Sequence, residues 1–542
     1  MSKISTKKTL EETVKLLIMQ HLNTYSDVEC ASILRGLKIL VDYDISVDRN
    51  QSVVSLEQFQ NILSKINEKE QRRRDEGVYY TPKDVTEYII LNAFVNYVNH
   101  QNEKVRSVSE CNAELLSSKH SCLSVAKVFD PTCGTAEFLL SALNLKISLL
   151  EFKSDEELLK LVSTIYGNDI AKESILLSKV RLFFSIIARL LDKKLSTKLA
   201  KILNKNFTAL DFVINDSCSP KFDIIVGNPP YVEYNKLKVK PSTKFGNAYA
   251  DVLMNSINSL RKNGVLGFVI PLSFVSTARM KGIRDFCYSK LRNLFVLNFA
   301  DRPDCLFDGV HQKLTILFGA KGEGKCKLFS SSYYHWYASE RDELLDNVSV
   351  LPVSPTEQYI PKIGNEFEKS IFTKILNTKG ITLNGVSDEM TEKASLFLNM
   401  RGCFWMKSFT FNPGSNEYKP FTCPAGMRNY LVALLNSNLF FLFWTIISDC
   451  WHITSKELNS FKVPVENIDF SVFDEIIFKL EKRLEETKKY IGSKQTEYEY
   501  KHKDCKIEID AIDQALQKIY DLTDDEVAYL RDYKLKYRTS NG

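Results

Sequence analysis

Between Val125 and about Phe318, short apolar runs alternate with amphipathic stretches, and this alternation constrains the fold more than any other feature of the chain. Lys127–Pro131 (KVFDP) precedes a helical pattern starting at Glu137. Thr164–Ile170 (TIYGNDI) precedes another that runs through Leu177 and Val180. Phe222–Pro230 (FDIIVGNPP) and Gly264–Pro271 (GVLGFVIP) follow. Strands that feed helices in this way build βαβ units, so the predicted class is α/β with a largely parallel sheet. Ligands in such sheets sit outside the carboxyl ends of the strands, which makes the residues just after each strand the ones to read.

The remainder of the 542 residues frames that sheet, and at ~150 residues per domain three or four units are expected. Residues 1–75 form a helical N-terminal segment, with a capping-box pattern at Thr9-x-x-Glu12 and apolar Val14, Leu17, Ile18 and Leu22 at helical spacing. A charged run, Glu68–Glu76 with Arg72, Arg73 and Arg74, reads as a solvated helix end. The sheet domain is expected over 76–328, a less regular aromatic-rich region over 329–466, and a helical tail over 467–542 that includes a second capping box at Thr523-x-x-Glu526. Tyr430–Ser448 is apolar, but Asn436, Ser437 and Asn438 interrupt it. A bilayer span needs about 20 continuous apolar residues, so a buried helix and no membrane association are expected. Twelve scattered cysteines without a C-x-x-C pair imply no metal site and reduced thiols, as in a cytoplasm. The N-terminus lacks the apolar core of a signal peptide. Seventy-two Lys plus Arg against 67 Asp plus Glu leave +5, so any nucleic-acid surface must be local.

Phe222–Tyr231 carries the sharpest chemical signal. A buried strand runs into Gly227 and then Asn228-Pro229-Pro230-Tyr231. Two prolines fix φ and supply no N–H, so the turn is rigid and presents carbonyls. Asn228 adds a side-chain carbonyl and Tyr231 a flat ring. Together they suit a planar group bearing an amino substituent, whose two hydrogens need two acceptors. Upstream, Phe129-Asp-Pro-Thr-Cys-Gly-Thr-Ala-Glu-Phe138 reads as strand, acidic residue, Gly-containing turn and helix start. An acidic residue at a second strand tip, here Asp169, is where ribose hydroxyls bind in folds of this kind. Asp211, in Thr208–Phe212, falls where a third strand tip belongs. The plainer reading of Asp130 and Asp169 is helix capping.

These pieces, with Gly77-Val-Tyr-Tyr-Thr-Pro82 and Leu306-Phe-Asp-Gly-Val310, give the chain a resemblance to the TaqI-like adenine-N6 DNA methyltransferases of restriction-modification systems, in the gamma motif order. The resemblance covers about residues 75–320, continues weakly through Leu434–Pro464, and returns at Ile519–Glu526. It implies S-adenosyl-L-methionine as cofactor and a Rossmann-like methyltransferase sheet, with 329–466 as a target-recognition region. It implies that Tyr79, Thr81 and Pro82 cover the cofactor's methionine part. Asp130, Thr132, Gly134 and Glu137 then frame the cofactor turn. Asp169 takes the ribose with Ile170 on the cofactor adenine, and Asp211 takes its amino group with Phe212 nearby. Asn228 and Pro229 bind the target amine, with Pro230 stiffening the turn, and Tyr231 and Phe307 stack on the target base. One departure stands out: the cofactor turn ends Gly134-Thr135-Ala136 where the family has Gly-Ser-Gly.

The implied reaction is direct methyl transfer to an adenine flipped out of double-stranded DNA. Lys236, Lys238, Lys240 and Lys244 follow the catalytic turn and are read as backbone-phosphate contacts. Arg401, Trp405, Lys407 and Arg428 lie in the recognition region without an assigned base. A protein glutamine-amide methyltransferase uses the same Asn-Pro-Pro-Tyr turn, but such enzymes are much shorter. A DNA-binding subunit with lost catalysis is the other alternative, kept open by Thr135-Ala136. No paired acids followed by Glu-x-Lys occur in residues 1–75, so a restriction endonuclease or a specificity subunit is expected as a separate partner in a bacterial cytoplasm.

Overall fold

The computed structural model describes residues 14–15, 17–19, 21–41, 81–99, 104–117, 121–214, 221–307, 309–388, 392–466, 468–492 and 496–539. The Thr9 capping box and the Glu68–Glu76 run lie outside them.

The expected α/β sheet is present and larger than the sequence pattern suggested. Its nine strands are β1 (Val128–Asp130), β2 (Ile165–Asn168), β3 (Phe207–Thr208), β4 (Phe222–Gly227), β5 (Leu260–Pro271), β6 (Leu291–Phe299), β7 (Leu314–Lys321), β8 (Lys327–Tyr334) and β9 (Val350–Pro352). They lie in the order β3-β2-β1-β4-β5-β7-β6-β8-β9. The first five are mutually parallel. β7 runs antiparallel between β5 and β6. β8 is parallel to β6, and β9 closes the edge antiparallel to β8. The apolar runs read from the sequence are the central strands, whose side chains are buried because helices cover the parallel sheet.

The strand order reverses between β1 and β4, creating the crevice where open α/β sheets bind ligands. Helices follow the strands that flank it. An N-terminal helix, α1 (Asp27–Leu40), starts at a Ser26/Glu29 capping box, and α2 (Lys83–Val98) follows Pro82. α3 (Glu137–Leu149) follows β1, α4 (Lys172–Ile187) follows β2, and α5 (Ser196–Asn206) leads into β3. α6 (Ala248–Ser259) lies between β4 and β5. α1 approaches α5 closely at Gly36, where a Cβ would fall 2.7 Å from Ser196 O. Ser196 Oγ donates to Ser32 O (2.6 Å) across the same contact.

β9 and most of β8 lie beyond residue 328 yet belong to this sheet. After them come a small antiparallel sheet, formed by Lys393–Asn399, Ser408–Phe409 and Tyr418–Pro424, and a set of helices. The apolar stretch Tyr430–Ser448 is two helices, α7 (Arg428–Asn436) and α8 (Asn438–Ile447), bent by 61° at the polar triplet. Among the described residues no single helix is long and apolar enough to cross a membrane. The triplet is buried and bonded: Asn436 Nδ2 donates to Ser408 O (2.8 Å), and Ser437 Oγ accepts from Phe440 N (3.0 Å) as the cap of α8. The chain then forms α9 (Val472–Thr487), α10 (Lys506–Ile519), α11 (Asp524–Asp532) and α12 (Leu535–Thr539). α11 opens with the Thr523/Glu526 capping box read from the sequence.

Candidate active site

Asp130 ends β1 inside the crevice and is 1% exposed. Its Oδ1 accepts from Thr132 N (3.0 Å). Burial holds its carboxyl well above the usual carboxylate range, with negative Asp169 adding to the effect, and no ion pair reaches it among the described residues. Gly227, the last residue of β4, lies directly against it: a Cβ there would fall 2.7 Å from Asp130 Oδ1. The strand before the Asn-Pro-Pro-Tyr turn therefore has to end in glycine for steric reasons.

Asn228 is tied to both neighbouring loops. Its Nδ2 donates to Thr81 Oγ1 (3.1 Å), and its backbone carbonyl accepts from Thr132 Oγ1 (3.4 Å). Thr81 itself is 5% exposed and immediately precedes Pro82. Pro229 is buried, while Pro230 and Tyr231 are half-buried. Tyr231 donates its hydroxyl to Val269 O (3.0 Å) near the end of β5, which fixes the plane of its ring.

The second and third strand tips repeat the Asp130 pattern. Asp169 accepts at Oδ1 from Ala171 N (2.8 Å) and at Oδ2 from Gly134 N (2.9 Å). Asp211 Oδ1 accepts from Val213 N (3.0 Å). A carboxylate has about four lone-pair sites, and the Asp211 bond to Val213 N takes one of them. Beside them two apolar side chains stand out into solvent at the strand tips, Ile170 at 70% and Leu210 at 56% exposure. Phe212 is buried edge-on to Phe129 (5.6 Å).

Three further residues hold this edge together, and the sequence reading did not assign them. Buried Asn168 donates to Pro131 O (3.0 Å) and Leu210 O (2.9 Å), and accepts from Thr208 Oγ1 (2.8 Å) and Leu210 N (3.1 Å), joining the tips of β1, β2 and β3. From α4, Ser178 Oγ donates to Gly134 O (2.8 Å), and buried Arg181 reaches both Thr135 O and Glu137 Oε1 (2.5 Å). Ser178 and Arg181, polar residues three apart within SILLSKVRLFFSII, were the available signal.

The Gly134-Thr135-Ala136 departure has a structural counterpart. Gly134 has φ +51° and Ala136 φ +71°. The second position is left-handed, which an L side chain adopts only at a cost. Ala136 N nevertheless donates to Cys133 O (2.7 Å), and Ala136 O accepts from Leu140 N (2.8 Å), so the turn and the start of α3 are intact. A Cβ on Gly134 would meet nothing within 4 Å, so the turn opens onto free space.

The segment after Tyr231 projects from a fixed neck. Tyr234 donates to buried Asp251 at the start of α6 (2.6 Å), and Thr243 donates to the same carboxylate. Arg279 pairs with Glu233 through two bonds (2.9 and 3.0 Å). Lys236, Lys238, Lys240 and Lys244 are exposed beyond this neck. Tyr79 lies outside the described residues. Phe307, expected against the target base, is 1% exposed within the core, so its ring has no open face for a base in this structure.

Residues 163–303 match the Eco57I restriction-modification methylase family. That span contains Asp169, Asp211, the Asn228–Tyr231 turn and the lysine segment. No curated protein matches the sequence. Among solved structures the chain is similar to DrdV in a DNA complex, at 14% identity and a TM-score of 0.43, over 65% of this chain and 38% of that one. It is also similar to the type IIG restriction endonuclease BpuSI, at 11% identity and a TM-score of 0.41, over 97% of this chain and 77% of that one. The M protein of the type I restriction enzyme EcoKI is a third, at 15% identity and a TM-score of 0.31, over 59% and 63% of the two chains.

Proposed function

We propose that the protein transfers a methyl group from S-adenosyl-L-methionine to the exocyclic N6 amine of an adenine flipped out of double-stranded DNA, as the modification component of a bacterial restriction-modification or related defence system. The observation that carries this reading is the shared wall at the strand reversal, where the Asp130 carboxyl packs on Gly227 and Asn228 follows directly. A turn suited to an amine and a buried carboxyl at a strand tip thus adjoin.

The donor set fits the cofactor. Asp130 is a buried carboxyl that a cationic methionyl group would stabilise in its charged form. Asp169, at the second strand tip, would take the ribose hydroxyls and Asp211 the adenine amino group. Ile170 and Leu210 offer apolar surface on which an adenine ring loses water. When bound, S-adenosyl-L-methionine supplies the methyl as an activated sulfonium. At the target, Asn228 and the Pro229 carbonyl accept from the amine, which favours a more tetrahedral, nucleophilic nitrogen and stabilises the charge developing on it. Thr81 orients the Asn228 amide by accepting from its nitrogen. Tyr231 offers its ring to the extruded base, helping offset an unstacking cost of roughly a few kcal/mol. The exposed lysines beyond the Tyr234 neck contact backbone phosphates. A separate endonuclease or specificity subunit is the expected partner.

The test is a genome-wide map of modified bases after expression in a methylation-free host. One sequence motif carrying N6-methyladenine is the expected result. Soluble protein that binds the cofactor yet leaves every adenine unmodified overturns the reading, and a methylated glutamine in a host protein would replace it.

A further inference from the structure

Of the four tryptophans, Trp336, Trp405 and Trp444 are buried at 1–8% exposure, whereas Trp451 is 47% exposed. Its indole is covered on one side by a cation: Lys313 Nζ lies 3.7 Å from the ring centre. Lys313 is itself buried and paired with Asp301 Oδ1 (3.6 Å). The His452 ring centre is 6.4 Å from that of Trp451, beside it.

The backbone that presents Trp451 is strained and heavily pinned. After α8 ends, Cys450 adopts φ +58°, a left-handed conformation unfavourable for a non-glycine residue. Asp449 Oδ1 accepts from Trp451 N (2.9 Å) and His452 N (3.3 Å). Trp451 O accepts from Gly402 N (3.0 Å), and His452 O accepts from Trp444 Nε1 (3.0 Å). An ordinary surface turn needs neither the strain nor this many restraints. Here they hold a large aromatic half out of the core.

The location gives the platform its meaning. Lys313 immediately precedes β7, and its carbonyl accepts from Leu272 N (3.0 Å) just after β5. Tyr231 is bonded to Val269 O on the same strand. Val269 to Leu272 spans roughly 10 Å at the rise of an extended strand. Trp451 and the catalytic turn therefore sit on one edge of the sheet. Neighbouring Asp449 is occupied by backbone amides, and Glu417 pairs with Arg401 (3.1 Å), whose guanidinium remains largely exposed. The two cations there, Lys313 and Arg401, are each paired with a carboxylate, Asp301 and Glu417.

We propose that Trp451 is a stacking platform for an unpaired nucleobase of the DNA at the mouth of the cleft, with Lys313 as the residue that holds the indole in place. The inference rests on the DNA reading above, and base flipping leaves unstacked bases beside the cleft for such a platform to take. Base-on-aromatic stacking tolerates any sequence because every base has a π-face.

The test measures binding of a fluorescein-labelled 20-nucleotide single strand and, in parallel, methyl transfer by the wild type to genomic DNA. Trp451→Ala should weaken single-strand binding by about 10-fold. Trp451→Phe should restore most of it, and both variants should bind S-adenosyl-L-methionine as the wild type does. Equal binding by wild type and Trp451→Ala overturns the platform whether or not DNA is methylated. Trp451-dependent binding without any transfer by the wild type supports the platform and overturns the proposed methylation instead.

Discussion

At the tips of β1, β2 and β3 each carboxylate accepts from an amide two residues further on, whereas in the C-terminal region the buried polar groups meet from far apart. Asn438 Nδ2 donates to Asp513 Oδ2 (2.6 Å) across 75 residues, and Arg538 Nη1 donates to Asn438 Oδ1 (2.7 Å) across 100. The Arg538 guanidinium also lies between Trp405 (3.9 Å) and Phe441 (4.3 Å), and its Nε donates to Phe404 O (2.7 Å). Just before it, Lys534 reaches Tyr333 O at the end of β8, and Tyr337 Oη donates to Lys536 O (2.9 Å). The last turns of the chain thus clasp the sheet to the C-terminal region. The strand-tip carboxylates thus combine short turns with tertiary contacts, such as Gly134 N to Asp169, whereas the buried groups that join the sheet to the C-terminal region rely on tertiary contacts.

The largest effect should come from breaking the clasp. Arg538→Ala leaves Asp513 and Asn438 buried without their cationic neighbour, a change expected to cost about 3 kcal/mol. Urea unfolding followed by tryptophan fluorescence reads it, and S-adenosyl-L-methionine binding should be retained. Stability equal to the wild type would mean that the long-range contacts do not hold the region.

A second prediction uses the opposite end of the strands, away from the site. Lys146 on α3 is fully buried, donating to Ala126 O (2.5 Å) before β1 and Thr164 Oγ1 (2.7 Å) before β2. Burial brings its ammonium down to about 7. Between pH 7 and its ordinary value the unfolded chain holds this proton and the folded chain does not, so stability should rise with pH in that window. One proton corresponds to at most about 1.4 kcal/mol per pH unit. Lys146→Met should flatten that rise in denaturation curves recorded from pH 7 to 10; an unchanged slope would assign it to other groups.

The smallest effect sharpens the local side of the comparison. Ala136→Gly relieves a left-handed Ala and should raise stability by about 0.5–1 kcal/mol, net of the entropy glycine adds to the unfolded chain. Thermal unfolding checks this, and a loss of stability would show that the Ala136 methyl contributes more packing than its conformation costs.

The same contrast explains what the sequence made legible. β1, β2, β4 and β5 were readable because each carries a short apolar run, and the Thr523/Glu526 box because capping spans one turn. Asp130, Asp169, Asp211 and Asn228 were readable because a strand tip fixes where the following residues lie. The burial of Phe307 was not, since it depends on packing against distant elements. Nor was the addition of β8 and β9 to the sheet, because pairing partners leave no local mark. Trp451 was missed because its exposure depends on a strained residue, Cys450, that no composition signals. The near-neutral total charge was equally silent, although it leaves room for four exposed lysines beside the turn.

On the proposed function, one edge of the sheet holds two adjoining roles, cofactor binding at the acidic strand tips and amine activation at Asn228. Asn228→Ala separates them most directly, with cofactor affinity and labelled-methyl transfer to DNA measured on the same preparation. The dissociation constant for S-adenosyl-L-methionine should stay within about twofold of the wild type, and transfer should be slower by roughly 10²- to 10³-fold. Transfer at the wild-type rate, with the cofactor bound normally, would contradict the role given to Asn228.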